Sequence, residues 1–202
     1  YYTARAHAHL VKGLPDAGLR DSEQLVNWAR LVKSEAELVY MREAGALMTE
    51  VMNRAIAKAR PGVPEYEVAA EVYQAQVMGV DGKYGDYTSI CPLIQVGEGT
   101  STPHLTWSDK PLPNNTLISI ELGAARRHHH APITRTLHLG PPPEEVVRLA
   151  DTIVEGTAAA LEAARPGATC EEVEACWQKV LNRNGYTKES RSGYSIGVNY
   201  PP

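Results

Sequence analysis

The strongest constraint on the fold is an internal repeat. Residues 57–77 read AKARPGVPEYEVAAEVYQAQV, and residues 162–181 read EAARPGATCEEVEACWQKVL. Each copy has the pattern of a helix, an Arg-Pro-Gly turn, a capped helix and a glycine-bearing loop that leads towards strands. Repetition at a fixed spacing is typical of duplicated architecture, so the sequence predicts a pseudo-twofold domain. The residues that match at the constant offset of 105 are Arg60 with Arg165, Pro61 with Pro166, Gly62 with Gly167, Glu67 with Glu172, and Val68 with Val173.

The second copy is shorter than the first. The first continues through three strand-like segments to about residue 140, whereas the second stops after GYSIGVN. The chain also opens with YYTARAH, without a methionine. We therefore expect a piece of a longer protein, with strands equivalent to those at 100–139 lying beyond Pro202.

Composition excludes several classes of function. The 202 residues carry a net charge of −4, with 43% hydrophobic and 22% charged residues, as in soluble globular proteins. The charge offers no basic surface for nucleic acid, and no run of about 18 apolar residues predicts a membrane span. The opening residues lack a basic-then-apolar leader. Cys91, Cys170 and Cys176 are odd in number, so we expect reduced thiols in a cytoplasmic protein.

Periodicity predicts four helices and three strands in the main part of the chain. The first helix spans about 34–59 and begins with a capping box between Ser34 and Glu37. Met41, Met48 and Met52 recur along it at helical spacing, which favours a core role. Further helices are expected at about 64–78, 143–163 and 170–184. The strands are expected in YTSICPLIQVG, TLISIELGA and RRHHHAPITRTLHLG.

The third predicted strand raises the question of a metal site, because it contains three consecutive histidines. Alternation places His128 and His130 on one face of the strand, with Ala131 and Ile133 on the other. Pro132 cannot donate to a ladder, so this strand is expected at an edge or at a bulge. A mononuclear zinc site needs three or four ligands, and no spacing here requires a third. A polar strand face is therefore favoured over a metal site at the triplet.

Five motifs together resemble the pita-bread hydrolases, a group that includes methionine aminopeptidase, aminopeptidase P, prolidase and creatinase. They are VKSEAELVYMREAGALM, RPGV, STPHLTW, SIELGAARRHHHAPITRT and SGYSIGVNYPP. The resemblance implies an α+β fold, duplicated, with a curved antiparallel sheet inside and helices outside. It further implies that residues 1–27 are the end of an N-terminal domain and its linker. Residues 28–202 would be the catalytic domain, incomplete at the C-terminus.

The metallopeptidases of this group bind two metal ions through five residues. By resemblance, the first aspartate falls on Glu121, the second on Pro132 and the histidine on Tyr194, and the two glutamates lie beyond Pro202. Proline has no ligand atom, and a neutral tyrosine is a poor ligand. We therefore expect no metal ion and no other cofactor.

Within the group, GDYTSICPLIQVGEGTSTPHLTW and ESRSGYSIGVNYPP resemble the ectoine hydrolases. This implies hydrolysis of a C–N bond in a cyclic amidine, giving an N-acetyl-2,4-diaminobutyrate. Glu121 is expected beside the amidinium as counter-charge, base or nucleophile, and His104 as a proton shuttle. Tyr194, His130 and Trp107 are expected to bind substrate. Trp107 would form the wall of a cation pocket, and an ordinary packing role for it stays equally open.

The expected partner is thus a small zwitterion, and the family implies a homodimer. The substrate carboxylate needs a cation, and spacing does not choose among Arg126, Arg127, Arg135 and Arg191. Two other functions stay open. One is a metal-dependent Xaa-Pro dipeptidase-like enzyme, and the other is a catalytically inactive family member that acts as a binding module.

Overall fold

The computed structural model describes residues 2–198 and 200, and the chain divides into two compact units, Tyr1–Lys33 and Ser34–Pro202. The first unit contains helix α1 (Ala4–Gly13) and the short helix α2 (Leu25–Ala29). Thr3 caps α1, because its hydroxyl accepts a hydrogen bond from the Ala6 N–H at 3.2 Å. Every helix among the described residues is too short or too polar to cross a membrane.

The second unit is an α+β domain. Its element bounds are α3 Glu35–Lys58, α4 Glu65–Met78, β1 Leu93–Val96, a 3₁₀ turn Gly97–Ser101, β2 Thr116–Arg126, β3 His129–Leu139, α5 Glu144–Ala163 and α6 Cys170–Arg183. The four predicted helices are therefore confirmed. The predicted capping box is present, since Ser34 N–H donates to the Glu37 carboxylate at 2.8 Å and the Ser34 hydroxyl accepts from Glu37 N–H at 3.4 Å.

The predicted repeat is also confirmed. The first helix of each pair ends at Lys58 or Ala163, and the second helix spans Glu65–Met78 or Cys170–Arg183, so each of these bounds keeps the offset of 105. Gly62 and Gly167 adopt φ angles of 84° and 94° in the two turns. A residue with a side chain is strained at such angles, which explains the matched glycines.

The sheet is antiparallel, in the order β1-β2-β3. Arg127 and His128, with φ of 50° and 61°, form the two-residue turn between β2 and β3. The third strand therefore begins after His128, which corrects the prediction that His128 lies on the strand. Pro132 pairs with Gly123 on an edge strand of the described sheet, as predicted. β1 is shorter than predicted, and Ser89 lies outside it and bonds to the His130 ring.

One face of the sheet packs on α3 and α4 and forms the core. The fully buried residues on β2 are joined by the predicted methionines of α3 and by valines of both helices. They include Ile118, Ile120, Leu122, Ala124, Met48, Met52, Val51, Val68 and Val72. The opposite face carries Glu121, Gly123 and Ala125 on β2, opposite Thr134, Pro132 and His130 on β3. We call this the Glu121 face.

Core packing should decide stability in this chain. Leu122→Ala removes a side chain that is 0% exposed, and we expect a loss of about 2–5 kcal/mol in the free energy of unfolding. The matched control is Leu161→Ala on α5, whose side chain is 71% exposed, with an expected change of less than about 0.5 kcal/mol. Urea unfolding of the 202-residue chain measures both. Equal losses would contradict this description of the core.

Candidate active site

Glu121 lies on β2, with Leu93 of β1 and Thr134 of β3 as its cross-strand neighbours. Its sequence neighbours Ile120 and Leu122 are fully buried in the core, so strand alternation directs Glu121 to the opposite face. Glu121 is half-buried there. The strand thus fixes the position of one carboxylate on a face that is not sealed by the helices.

The segment that follows α6 returns to this face and is held by His130. The Gly197 carbonyl accepts a hydrogen bond from the His130 backbone N–H at 2.9 Å and lies 3.2 Å from its ring Nδ1. Gly197 is buried. Because the backbone N–H and the ring of His130 both contact the Gly197 carbonyl, the segment that carries Tyr194 is fixed to the sheet.

The partners of His130 determine its tautomer. The backbone N–H of Ser89 lies 3.3 Å from Nε2, and an N–H only donates, so Nε2 carries a lone pair. The ring proton is therefore on Nδ1 and points at the Gly197 carbonyl. The Ser89 hydroxyl, 2.8 Å from Nε2, donates to the same lone pair. Burial lowers the pKa of His130 below its ordinary value, against the opposing effect of the backbone hydrogen bonds.

Tyr200 connects the groups on this face, and sequence reasoning missed it. Its side chain is only 5% exposed, and its ring lies 5.6 Å from His130 and stacks on Tyr194 at 6.0 Å. A Cβ added to Gly123 would lie 3.7 Å from the Tyr200 ring. Burial raises the pKa of Tyr200, and the hydrogen bond with Tyr194 and the charge of Glu121 raise it further. The segment is irregular, so no periodicity marked Tyr200.

Of the predicted site residues, the structure brings Glu121, His130 and Tyr194 together around Tyr200. His104 lies on an exposed loop with a φ of 62°, and the described residues show no hydrogen bond or ring contact between it and Glu121. That loop is attached to β1, because Ile94 N–H donates to the Leu105 carbonyl at 2.9 Å.

Trp107 takes the packing role that the sequence left open. It was expected to wall a cation pocket, but its ring packs against the helix-side core. It meets Tyr73 of α4 edge-on, with ring centroids 5.9 Å apart and an angle of 88°. An indole is large and apolar, so packing explains its position, and the structure does not place it on the Glu121 face.

The histidine triplet does not converge on one point. His128 lies in the turn, with its N–H 3.2 Å from Asp86 and its ring 5.5 Å from Tyr87. The His129 ring lies 5.6 Å from Tyr40, on α3, and 3.6 Å from the Glu37 carboxylate, whereas the His130 ring meets Ser89 and Tyr200.

The donor set also does not fit the two-metal site of the related peptidases. Of the positions that the resemblance assigns to ligands, Pro132 offers no donor, and Tyr194 shares its hydroxyl with Tyr200. Within residues 2–198 and 200, no three His, Cys, Asp or Glu side chains form a group able to hold a metal ion. Of the three assigned positions that lie within residues 1–202, Glu121 alone carries an acidic side chain.

The structure separates the four candidate arginines. Arg126 is committed to Glu43, with Nε 3.0 Å from the carboxylate, and that hydrogen bond raises the pKa of Arg126. Arg127 lies in the turn, and Arg135 donates to the Thr134 carbonyl at 2.8 Å on an exposed stretch of β3. Arg191 lies over the Tyr194 ring, with its guanidinium carbon 4.7 Å from the centroid.

The segment that carries Arg191 is anchored to α6 by Glu174. The Glu174 carboxylate accepts hydrogen bonds from Ser192, from Lys188 at 2.9 Å and from Gln178 at 2.7 Å. These bonds, that of Ser192 first, lower the pKa of Glu174 to about 2. Arg191 and Tyr194 are therefore presented by a segment that is tied to the protein on both sides, at Glu174 and at His130.

Comparison with known proteins identifies the family. The sequence pattern of metallopeptidase family M24 matches residues 39–202. An uncharacterised hydrolase or peptidase of Sinorhizobium fredii is 43% identical over 202 residues, which is 100% of this chain and 52% of the relative. The ectoine hydrolase of Halomonas elongata is 35% identical over 208 residues, which again cover 100% of this chain and 52% of the relative. A Xaa-Pro dipeptidase of Pyrococcus horikoshii is 29% identical over 177 residues, or 87% and 49%.

Solved structures agree with this assignment. The prolidase from Pyrococcus horikoshii OT3 superposes with a TM-score of 0.87 at 25% identity, covering 99% of this chain and 58% of that protein. The chain therefore belongs to the M24 metallopeptidase family, and the predicted pita-bread fold is confirmed. The chain spans about half the length of the curated relatives that it matches.

The lowered pKa of His130 predicts how the stability of the folded chain depends on pH. The unfolded chain binds a proton at His130 near pH 6.5, whereas the folded protein binds it only at lower pH. The unfolded state therefore binds more protons in this window, and stability falls as pH drops from 7 towards 5. We expect His130→Gln to reduce this fall in urea unfolding, and His9→Gln, at an exposed position, to leave it unchanged. If stability fell as steeply with pH in His130→Gln as in the wild type, the lowered pKa of His130 would be contradicted.

Proposed function

We propose that the full-length protein is a hydrolase that opens the cyclic amidine ring of ectoine without a metal ion. The observation that carries the proposal is the donor set of the Glu121 face, where Glu121 keeps a carboxylate and Pro132 and Tyr194 stand at two of the positions that hold ligands in the metallopeptidases. The 35% identity to the ectoine hydrolase of Halomonas elongata supports the same substrate class. The family is one of hydrolases, and the choice of substrate is our inference.

The charge of the substrate explains how such a site would work. A neutral peptide carbonyl needs a Lewis acid to become electrophilic, whereas an amidinium carbon is already electron-poor and positively charged. A carboxylate attracts this cation, and a metal ion at the same place would repel it. Glu121 is thus suited to an amidinium and poorly suited to a peptide.

The reaction consumes one water. The water oxygen bonds to the amidine carbon, and one ring C–N bond breaks. The departing nitrogen takes up both protons of the water and leaves as an ammonium group, and the carbon keeps the oxygen as the carbonyl of an acetyl group. Glu121 is the proposed acidic group beside the reacting carbon, as counter-charge, base or nucleophile. His104 is the proposed proton donor to the departing nitrogen.

Arg191 is the proposed partner of the substrate carboxylate. It lies over Tyr194 and is exposed, whereas Arg126 already pairs with Glu43. A guanidinium binds a carboxylate through two parallel N–H bonds, which fixes orientation as well as charge. This arrangement would hold the two ends of a zwitterion between Arg191 and Glu121.

Replacement of Arg191 tests this role. We expect Arg191→Gln in the full-length protein to raise the KM for ectoine about tenfold or more, because a charge-assisted hydrogen bond contributes about 1.5–3 kcal/mol. Arg135→Gln is the matched control and should leave KM within about twofold. Steady-state kinetics measures both, and the reverse pattern would assign the carboxylate to Arg135.

Replacement of Glu121 and His104 tests the chemistry. In EDTA-treated full-length protein, we expect Glu121→Gln and His104→Ala each to lower ectoine turnover at least about a hundredfold, through loss of charge stabilisation or proton transfer. The controls are Glu145→Gln and His9→Ala, which change exposed side chains. Near-normal rates in both site variants would contradict the proposal. A normal rate in His104→Ala alone would remove His104 from the mechanism.

The main alternative is a metal-dependent Xaa-Pro dipeptidase, which the 29% identity to the Pyrococcus horikoshii enzyme favours. Cleavage of an Xaa-Pro dipeptide after addition of Mn²⁺, with no ectoine turnover, would support it. A second alternative is an inactive binding module, which would neither cleave the dipeptide nor turn over ectoine.

The organisation of the longer protein is also a proposal. We propose that residues 1–27 end an N-terminal domain and its linker, that residues 28–202 form part of the catalytic domain, and that the protein is a cytoplasmic homodimer. The division between Lys33 and Ser34 is compatible with a separate N-terminal part. Light scattering of the full-length protein would measure the oligomeric state.

A further inference from the structure

Two tyrosines on the Glu121 face differ sharply in burial. Tyr200 is 5% exposed, whereas Tyr194, which stacks on it at 6.0 Å with an angle of 23°, is 42% exposed. Tyr200 also lies against His130 and Gly123. A ring so enclosed has little surface for a ligand, so Tyr200 reaches a substrate only through Tyr194.

The two hydroxyls share a hydrogen bond, and only one of them lies where a ligand can reach it. Tyr200 is enclosed, whereas Tyr194 is 42% exposed. A hydroxyl has one proton to donate. For Tyr194 to donate outwards to a ligand, the Tyr200 O–H must therefore donate to the Tyr194 oxygen.

The surroundings hold Tyr194 in this arrangement. Tyr200 covers one part of its ring by stacking, and the Arg191 guanidinium lies 4.7 Å from its centroid. The chain is attached to the sheet at Gly197 through both the backbone and the ring of His130, and Ser89 fixes the ring tautomer. The orientation of the Tyr194 hydroxyl therefore depends on an ordered set of contacts with Tyr200 at its centre.

We propose that Tyr200 is a positioning residue, which orients the Tyr194 hydroxyl as a hydrogen-bond donor to the oxygen that forms on the amidine carbon beside Glu121. This inference rests on the proposed function. In the step concerned, the water oxygen bonds to the carbon, the C–N bond breaks with its electron pair going to nitrogen, and both protons of the water end on that nitrogen, which leaves as an ammonium group. Tyr194 keeps its proton throughout and stabilises the oxygen by the bond it donates.

A double-mutant cycle in the full-length protein tests the proposal. We expect Tyr200→Phe and Tyr194→Phe each to lower kcat for ectoine about tenfold or more, with KM within about threefold. Because Tyr200 acts through Tyr194, the double variant should be no slower than Tyr194→Phe alone. Tyr87→Phe, at a side chain that is 80% exposed, is the control and should behave as wild type. Additive losses, or a normal kcat in Tyr200→Phe, would overturn the proposal.

A second measurement separates this proposal from the assignment of ectoine. A buried, hydrogen-bonded hydroxyl proton exchanges slowly and gives its own proton NMR signal. We expect one such signal from Tyr200 in the wild type, lost in Tyr200→Phe and broadened in Tyr194→Phe. If that pattern holds without ectoine turnover, the tyrosine arrangement stands and the substrate is wrong. If Tyr194→Phe leaves the signal unchanged, the positioning role fails, whatever the substrate.

Discussion

The pairing of β2 with β3 is the constraint on which the candidate site depends. The two-residue turn at Arg127 and His128 fixes the register, and with it the pairs Ala125–His130 and Glu121–Thr134. Successive residues of a strand face opposite sides, so a slip of one residue would turn Ile120 and Leu122 outwards and Glu121 into the core. The hydrophobic core and the position of the carboxylate are therefore fixed by the same hydrogen-bonded ladder.

The same pairing recruits a distant part of the chain. His130 is directed to the Glu121 face because Ala131 and Ile133 are needed on the core side. Once there, it binds the Gly197 carbonyl and brings Tyr194 and Tyr200 onto the sheet. Tyr200, which is far from Glu121 in sequence, thus comes to lie on the Glu121 face through the contacts of His130 on β3.

Much of the fold could be predicted from the sequence, because local rules decide it. The capping box at Ser34, the left-handed glycines after each Arg-Pro and the helical spacing of the methionines all act within a few residues. Alternation also placed His130 opposite Ala131 and Ile133 on the third strand. Trp107 and Tyr200 could not be assigned this way, since an aromatic side chain packs equally well in a core or a pocket, and tertiary contacts decide between them. Arg191 was one of four arginines until its contact with Tyr194 separated it from the others.

We propose that a cationic substrate takes the place of the metal cations of the related peptidases, with Glu121 as its counter-charge. The most direct test is ectoine turnover by the full-length protein, measured together with bound metal before and after exhaustive chelation. We expect a turnover rate that does not change as the metal content falls to zero. A rate that falls in proportion to bound metal, and returns when Mn²⁺ or Zn²⁺ is added back, would contradict it.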